Sequence, residues 1–142
     1  MKTGSRLSAL TLALVLVGCA SPDKPAAIAA PLCATGDAMT QTTLYFGLNR
    51  PDGPVISASE WQAFLDREVT PRFQEGLSVF DAKGQWLGDD GVLARENSKA
   101  LLLIHAADAA NETKIEALRS GYKQRFKQDS VMRVDAPVCV AF

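Results

Sequence analysis

The sequence predicts one exported α+β domain with its elements in the order βαββαβ. Three observations predict it. A short stretch of period-two alternation, Thr42–Leu48, is followed by a well-capped amphipathic helix. Two long strand-like runs flank Gly88-Asp89-Asp90-Gly91 and read as a hairpin. Cys33 and Cys139 stand where the first and last strands of such a sheet meet.

The chain opens with an address. Met1–Arg6 carries Lys2 and Arg6 and no acid, and Leu7–Val17 is almost wholly apolar. A basic start, a short apolar core and a small residue before a cysteine describe a secretory leader, too short to span a bilayer as a mature helix. Leu16-Val17-Gly18-Cys19 resembles the bacterial lipobox, which implies that residues 1–18 are removed and that Cys19 is acylated. Ala20 is not acidic, so in an envelope with outer-membrane sorting the expected destination is the periplasmic side of the outer membrane. Residues 19–40 read as a tether. Ala20–Leu32 holds three Pro and five Ala and little else that could pack, and Pro22, Pro25 and Pro31 keep it extended.

The domain is expected at 41–142. The full chain has 15 basic and 16 acidic residues, and the leader removes two bases and no acid. The remaining acidic balance leaves no electrostatic footprint for nucleic acid. With Cys19 lipidated, Cys33 and Cys139 are an even pair in an oxidising compartment, which favours a disulfide. Closing so long a loop contributes roughly 2–4 kcal/mol.

Within the domain, Leu44, Phe46 and Leu48 alternate with Thr43, Tyr45 and Gly47, a strand with one core face. Asn49-Arg50-Pro51-Asp52-Gly53-Pro54 ends it with dense turn chemistry. Ser57 and Glu60 form a capping box, and Trp61, Phe64, Leu65 and Val69 form the apolar stripe of a helix ended by Pro71. The hairpin pairs Gly76–Leu87 with Val92–His105. Counting back from a four-residue loop opposes Leu87 to Val92, Phe80 to Lys99 and Leu77 to Leu102. That register sends Leu77, Val79, Ala100, Leu102 and Ile104 to the core. A bulge is expected near Ala82-Lys83-Gly84 and Asn97-Ser98. The second helix runs from about Asp108, its cap, to Phe126, with Ile115, Leu118, Tyr122 and Phe126 as its stripe and Gly121 as a weak point. A last strand at Ser130–Asp135 puts Met132 and Val134 inward.

Right-handed crossovers arrange these as a ferredoxin-like fold: one four-stranded antiparallel sheet ordered 4-1-3-2, two helices on one face, and a long β2-β3 hairpin arm. Strand four then lies antiparallel beside strand one, which brings Cys33 to Cys139.

Leu44-Tyr45-Phe46-Gly47-Leu48-Asn49, Glu68-Val69-Thr70-Pro71-Arg72-Phe73, Gly84-Gln85-Trp86, Arg95-Glu96, Ser98-Lys99 and Arg133-Val134-Asp135 together resemble the bacterial domain-of-unknown-function family 3574. Its members are exported proteins that often carry lipoprotein signals, and the match runs over about 42–142. Asn97 departs from the Pro that the family pattern leads one to expect there. The resemblance implies an exported domain and brings no activity with it.

Candidate chemistry is sparse. His105, the single histidine, ends strand three near Arg72. A general acid–base role is conceivable there, but a strand-end residue bonded to loop backbone is the better reading. One histidine and no metal-ligand spacing give no expectation of a metal, and no glycine pattern implies a cofactor. The helical spacing of Trp61 and Phe64 makes them core.

Two surfaces remain. The helix-free sheet face, expected to carry Tyr45, Phe80, Leu101, Leu103 and Val131, is too apolar for bare water and is a candidate homodimer face. The edge far from the disulfide collects Asn49, Arg50, Gln85, Trp86, Arg95, Glu96 and Lys99 as a candidate binding edge for an envelope protein or a small anionic ligand. The leading expectation is a non-catalytic binding or interaction module held to the lipid bilayer by Cys19. The alternative is a small enzyme or small-ligand protein of the dimeric α+β-barrel type. Cys19→Ser is expected to abolish fatty-acid labelling and cleavage of the leader. A variant still labelled and cut before residue 19 would refute the lipobox reading.

Overall fold

The computed structural model describes residues 32–142. The expected leader, Cys19 and the tether up to residue 31 lie outside the described residues. The elements are β1 (Asp37–Gly47), α1 (Ala58–Phe64), β2 (Ser78–Leu87), β3 (Leu93–His105), α2 (Ala109–Phe126) and β4 (Met132–Val140). They form one antiparallel sheet ordered β2-β3-β1-β4, the expected topology. Residues 37–40, assigned above to the tether, belong to β1. The expected tail after Asp135 is the far half of β4, paired with them from Thr40↔Pro137 to Asp37↔Val140. Cys33 and Cys139 are joined, Cα atoms 5.5 Å apart, beside the Ala38↔Cys139 pair.

Alternation along β1 sends Thr42, Leu44 and Phe46 to one face, where all three are fully buried. Both helices cover that face. Ser57 and Glu60 make the predicted capping box at the start of α1. Past Phe64 the helix widens into a π-helical turn over Leu65–Val69, closed by Thr70 N–H donating to Leu65 O at 2.9 Å. Pro71 has no N–H to continue the ladder. The chain turns there and sets Phe73 into the core. Asp108 caps α2 by accepting from Asn111 N–H at 2.7 Å. Ile115, Leu118, Tyr122 and Phe126 are buried as the helical period requires.

The hairpin register differs from the expected one, and a single residue makes the difference. Its loop has five residues, because Asp90 Oδ1 captures Val92 N–H at 2.9 Å and Gly88 N–H donates to Val92 O at 2.9 Å. Val92 therefore belongs to the loop, and Leu87 pairs with Leu93. The register then runs without a bulge to Ser78↔Leu102. A one-residue shift turns every side chain of one strand over relative to its partner. Leu101 and Leu103 are consequently core residues, each fully buried, whereas Ala100, Leu102 and Ile104 share the helix-free face. Parity in β4 is reversed as well. Val131 is buried, while Met132 and Val134 stand 55% and 49% exposed on the open face. Leu101, Leu103 and Val131 are therefore withdrawn from the candidate dimer face. Tyr45 and Phe80 stay on it, joined by Leu102, Ile104, Met132 and Val134.

A Cβ placed on Gly121 meets no atom within 4 Å outside its own helix. Close packing therefore does not demand glycine there. Gly121→Ala should stabilise the domain by about 1 kcal/mol, raising the melting midpoint by roughly 4–8 °C. A lowered midpoint in thermal unfolding would mean that α2 packs more tightly than described.

Candidate functional site

The open face is not uniform. Register aligns Ala82, Ser98 and Gly47 across β2, β3 and β1, with Ser130 completing the row just before β4. Four small residues in line leave a trench across the sheet. The next row toward the disulfide, Phe80, Ala100, Tyr45 and Met132, is bulkier. On the arm side Gly84 faces Glu96 and Trp86 faces Ala94. The turn after β1 and the loop 127–130 wall the far end, giving a cleft of about 850 Å³.

The floor is fixed from both sides. Tyr122 Oη donates to Gly47 O at 2.8 Å from within the core, and burial pushes its phenol pKa well up. Above, the Glu96 carboxylate lies over Gly47, so that a Cβ at 47 would fall 2.4 Å from Glu96 Oε1. Only glycine leaves that space. Glu96 Oε1 accepts Asn49 N–H at 2.9 Å, and Asn49 O accepts from Gln128 Nε2 at 2.6 Å. The arm, the end of β1 and the α2–β4 loop are thereby tied together around the cleft.

Of the seven residues of the candidate binding edge, Asn49, Arg50, Trp86, Arg95 and Glu96 line this cleft; Gln85 and Lys99 do not. The pleat divides them. Trp86 and Glu96 share the trench face, with Trp86 52% exposed. Gln85 and Arg95 alternate to the other face of the arm, where Arg95 Nε donates to Gln85 Oε1 at 3.0 Å. Lys99 is ion-paired with Asp81 on the helix side. Arg50 is already occupied: Nη2 donates to Glu60 Oε1 at 2.5 Å and Nη1 to Pro54 O at 3.2 Å, and its guanidinium lies 5.6 Å from the Phe126 ring centroid. The Ser57 N–H and then Arg50 hold the Glu60 carboxyl down to about 2. Arg50 and Arg95 therefore do not converge on a shared anion site. Lys83 shares the face of Arg95, so the cation the cleft retains is Lys127 on the α2–β4 loop, against Glu96 and Asp129.

A second polar cluster sits at the disulfide end. His105 is 6% exposed. Its Nδ1 donates to Ala106 O at 2.8 Å, the strand-end role expected from sequence, while Nε2 lies 2.8 Å from Thr42 Oγ1. The Thr42 hydroxyl donates to Asp135 Oδ1 at 2.5 Å. Arg133 joins Asp135 at 2.9 Å to Glu112 at 2.6 Å and Glu116 at 3.1 Å. Burial raises the Asp135 carboxyl, but hydrogen bonds from Thr42 and Arg133 outweigh it and leave the pKa lowered. Arg72, expected beside His105, is committed to Glu68 at 2.9 Å. Every member of this cluster is satisfied within the protein, as a tie between β1, β3, β4 and α2 should be. Among the described residues no group of three or more His, Cys, Asp or Glu side chains is placed to hold a metal.

Sequence reasoning missed Gly47, Ala82 and Ser98 as a floor. Their shared smallness is visible in the sequence, but their alignment needs the correct register.

Residues 41–142 match the model of the family described as "Protein of unknown function (DUF3574)". No curated protein matches the chain. Among solved structures, a phage SAM lyase in complex with S-methyl-5'-thioadenosine is similar in fold. It has a TM-score of 0.56 and 21% identity, covering 75% of this chain and 88% of that one. CutA from Synechococcus elongatus PCC7942 has a TM-score of 0.50 and 11% identity, covering 74% and 81% respectively. At such identities the likeness is one of fold alone.

Proposed function

The chain belongs to the family of proteins of unknown function DUF3574, and from that premise we propose that it is an outer-membrane lipoprotein. In this reading Cys19 anchors it on the periplasmic side, and its domain is a non-catalytic binding module with a small ligand in the open-face cleft. The leader and its lipobox support the anchoring. One observation carries the binding reading: a trench floored by small residues on β2, β3 and β1 and by Ser130 just before β4, flanked by Tyr45 and Trp86, in a cleft of about 850 Å³. That size fits a small molecule, and a half-exposed tryptophan beside small residues offers a flat surface for a ring. Lys127 at the rim suits an anionic group on the ligand. Ala82→Phe fills the trench without touching the core. Protein taken natively from its membrane is expected to carry a bound small-molecule mass in native mass spectrometry, and Ala82→Phe is expected to lose it with an unchanged melting midpoint. Retention of the same mass by the variant would place the ligand elsewhere.

The apolar remainder of the open face supports a second reading, self-association of the dimeric α+β-barrel kind. Phe80, Met132 and Val134 are each about half exposed beside Tyr45, Leu102 and Ile104. A two-fold dimer needs only one self-complementary patch, and two such faces would enclose a cavity. Phe80→Glu is expected to convert a dimer to monomers by light scattering. A wild-type domain that stays monomeric at high micromolar concentration would remove this second reading.

A further inference from the structure

The cleft holds one carboxylate on its floor, and that carboxylate is aimed. Glu96 projects on the trench side of β3 between Ala94 and Ser98, its neighbours two residues either way on the same face. Its side chain lies across Gly47, whose missing Cβ is the space it occupies. Oε1 is held by Asn49 N–H, and Asn49 is held in turn by Gln128. Among the described residues Glu96 Oε2 accepts no hydrogen bond and no Lys or Arg forms an ion pair with it. An ionised carboxylate has room for about four donors, and a partly enclosed one without a cation gains from any it is offered.

We infer that Glu96 is the specificity residue of the cleft: its ligand presents a cationic or N–H donor group to Glu96 Oε2 as well as an anionic group to the rim. The ligand is thus amphoteric, of the zwitterion class. Gly47 is the positioning residue, because any side chain there evicts the carboxylate from its place. This rests on the small-ligand reading of the cleft. It deepens that reading by separating two charges of opposite sign, one read by the rim and one by the floor.

Three probes share a phenylethyl skeleton and differ in the charged groups on it: phenylalanine carries both an ammonium and a carboxylate, 3-phenylpropionate only the carboxylate and phenethylamine only the ammonium. Their binding is read from NMR shifts of the Trp86 indole N–H and the Gly47 amide, or the amide of residue 47 in the variant. Phenylalanine should bind best. Glu96→Gln keeps an acceptor for Asn49 N–H and removes the charge, so the fold is retained. The loss of one charge-assisted hydrogen bond should weaken phenylalanine and phenethylamine by about tenfold or more. Phenylpropionate should be unaffected or strengthened. Gly47→Ala should reproduce that pattern with the glutamate intact, which a merely structural Glu96 would not do. If the probes bind and Glu96→Gln leaves their order unchanged, or weakens all three alike, the inference is overturned while the cleft stands. If no probe shifts the cleft signals, the small-ligand reading falls and takes the inference with it.

Discussion

Phe46 packs beneath the sheet against Tyr122, Trp61 and Phe64, with ring centroids 4.6, 5.3 and 5.6 Å away. Tilted and edge-on contacts of this kind add to the burial of the rings themselves. With Phe46 committed to the core, pleating sends Tyr45 and Gly47 to the opposite face. Everything on that face follows from this orientation. Gly47 opens the space that Glu96 fills, Tyr45 stands at one side of the trench, and Tyr122 fixes the Gly47 carbonyl from below. The aromatic core and the cleft are two sides of one short stretch of β1.

The two ends of the sheet use their charges differently. At the disulfide end Arg133, Asp135, Glu112, Glu116, Thr42 and His105 satisfy one another. At the far end Arg50 braces the β1–α1 turn to the first turn of α1 through Glu60, while Glu96 keeps one oxygen open. Networks that close on themselves stabilise and specify a fold, and groups left open are where a ligand can contribute. That contrast favours the far end as the working surface.

Much of the fold was legible in the sequence. Element order, sheet order, the pairing of Cys33 with Cys139, both helix stripes and both N-caps follow from local chemistry that the structure repeats. Register was not legible, for two physical reasons. Leu101-Leu102-Leu103-Ile104 is apolar at every position and carries no period-two signal, so the face assignment rested on the loop length alone. Val92 looks like a strand residue, yet the Asp90 side chain holds it in the loop. In β4 the polar residues misled. Arg133 and Asp135 point to the helix side because Glu112, Glu116 and Thr42 meet them there, leaving Met132 and Val134 outside. Of the predicted edge, Trp86 and Glu96 share the trench face. Arg95 did not join them, because neighbours in sequence on a strand face opposite ways.

The most direct test of this account is a high-resolution crystal structure of the protein purified from its own membrane without exchange of bound molecules. The account predicts density for a small molecule above Gly47 and Ser98, against the Trp86 ring, with a donor atom about 3 Å from Glu96 Oε2. A cleft filled only by ordered water, with bound density on another surface, would contradict it.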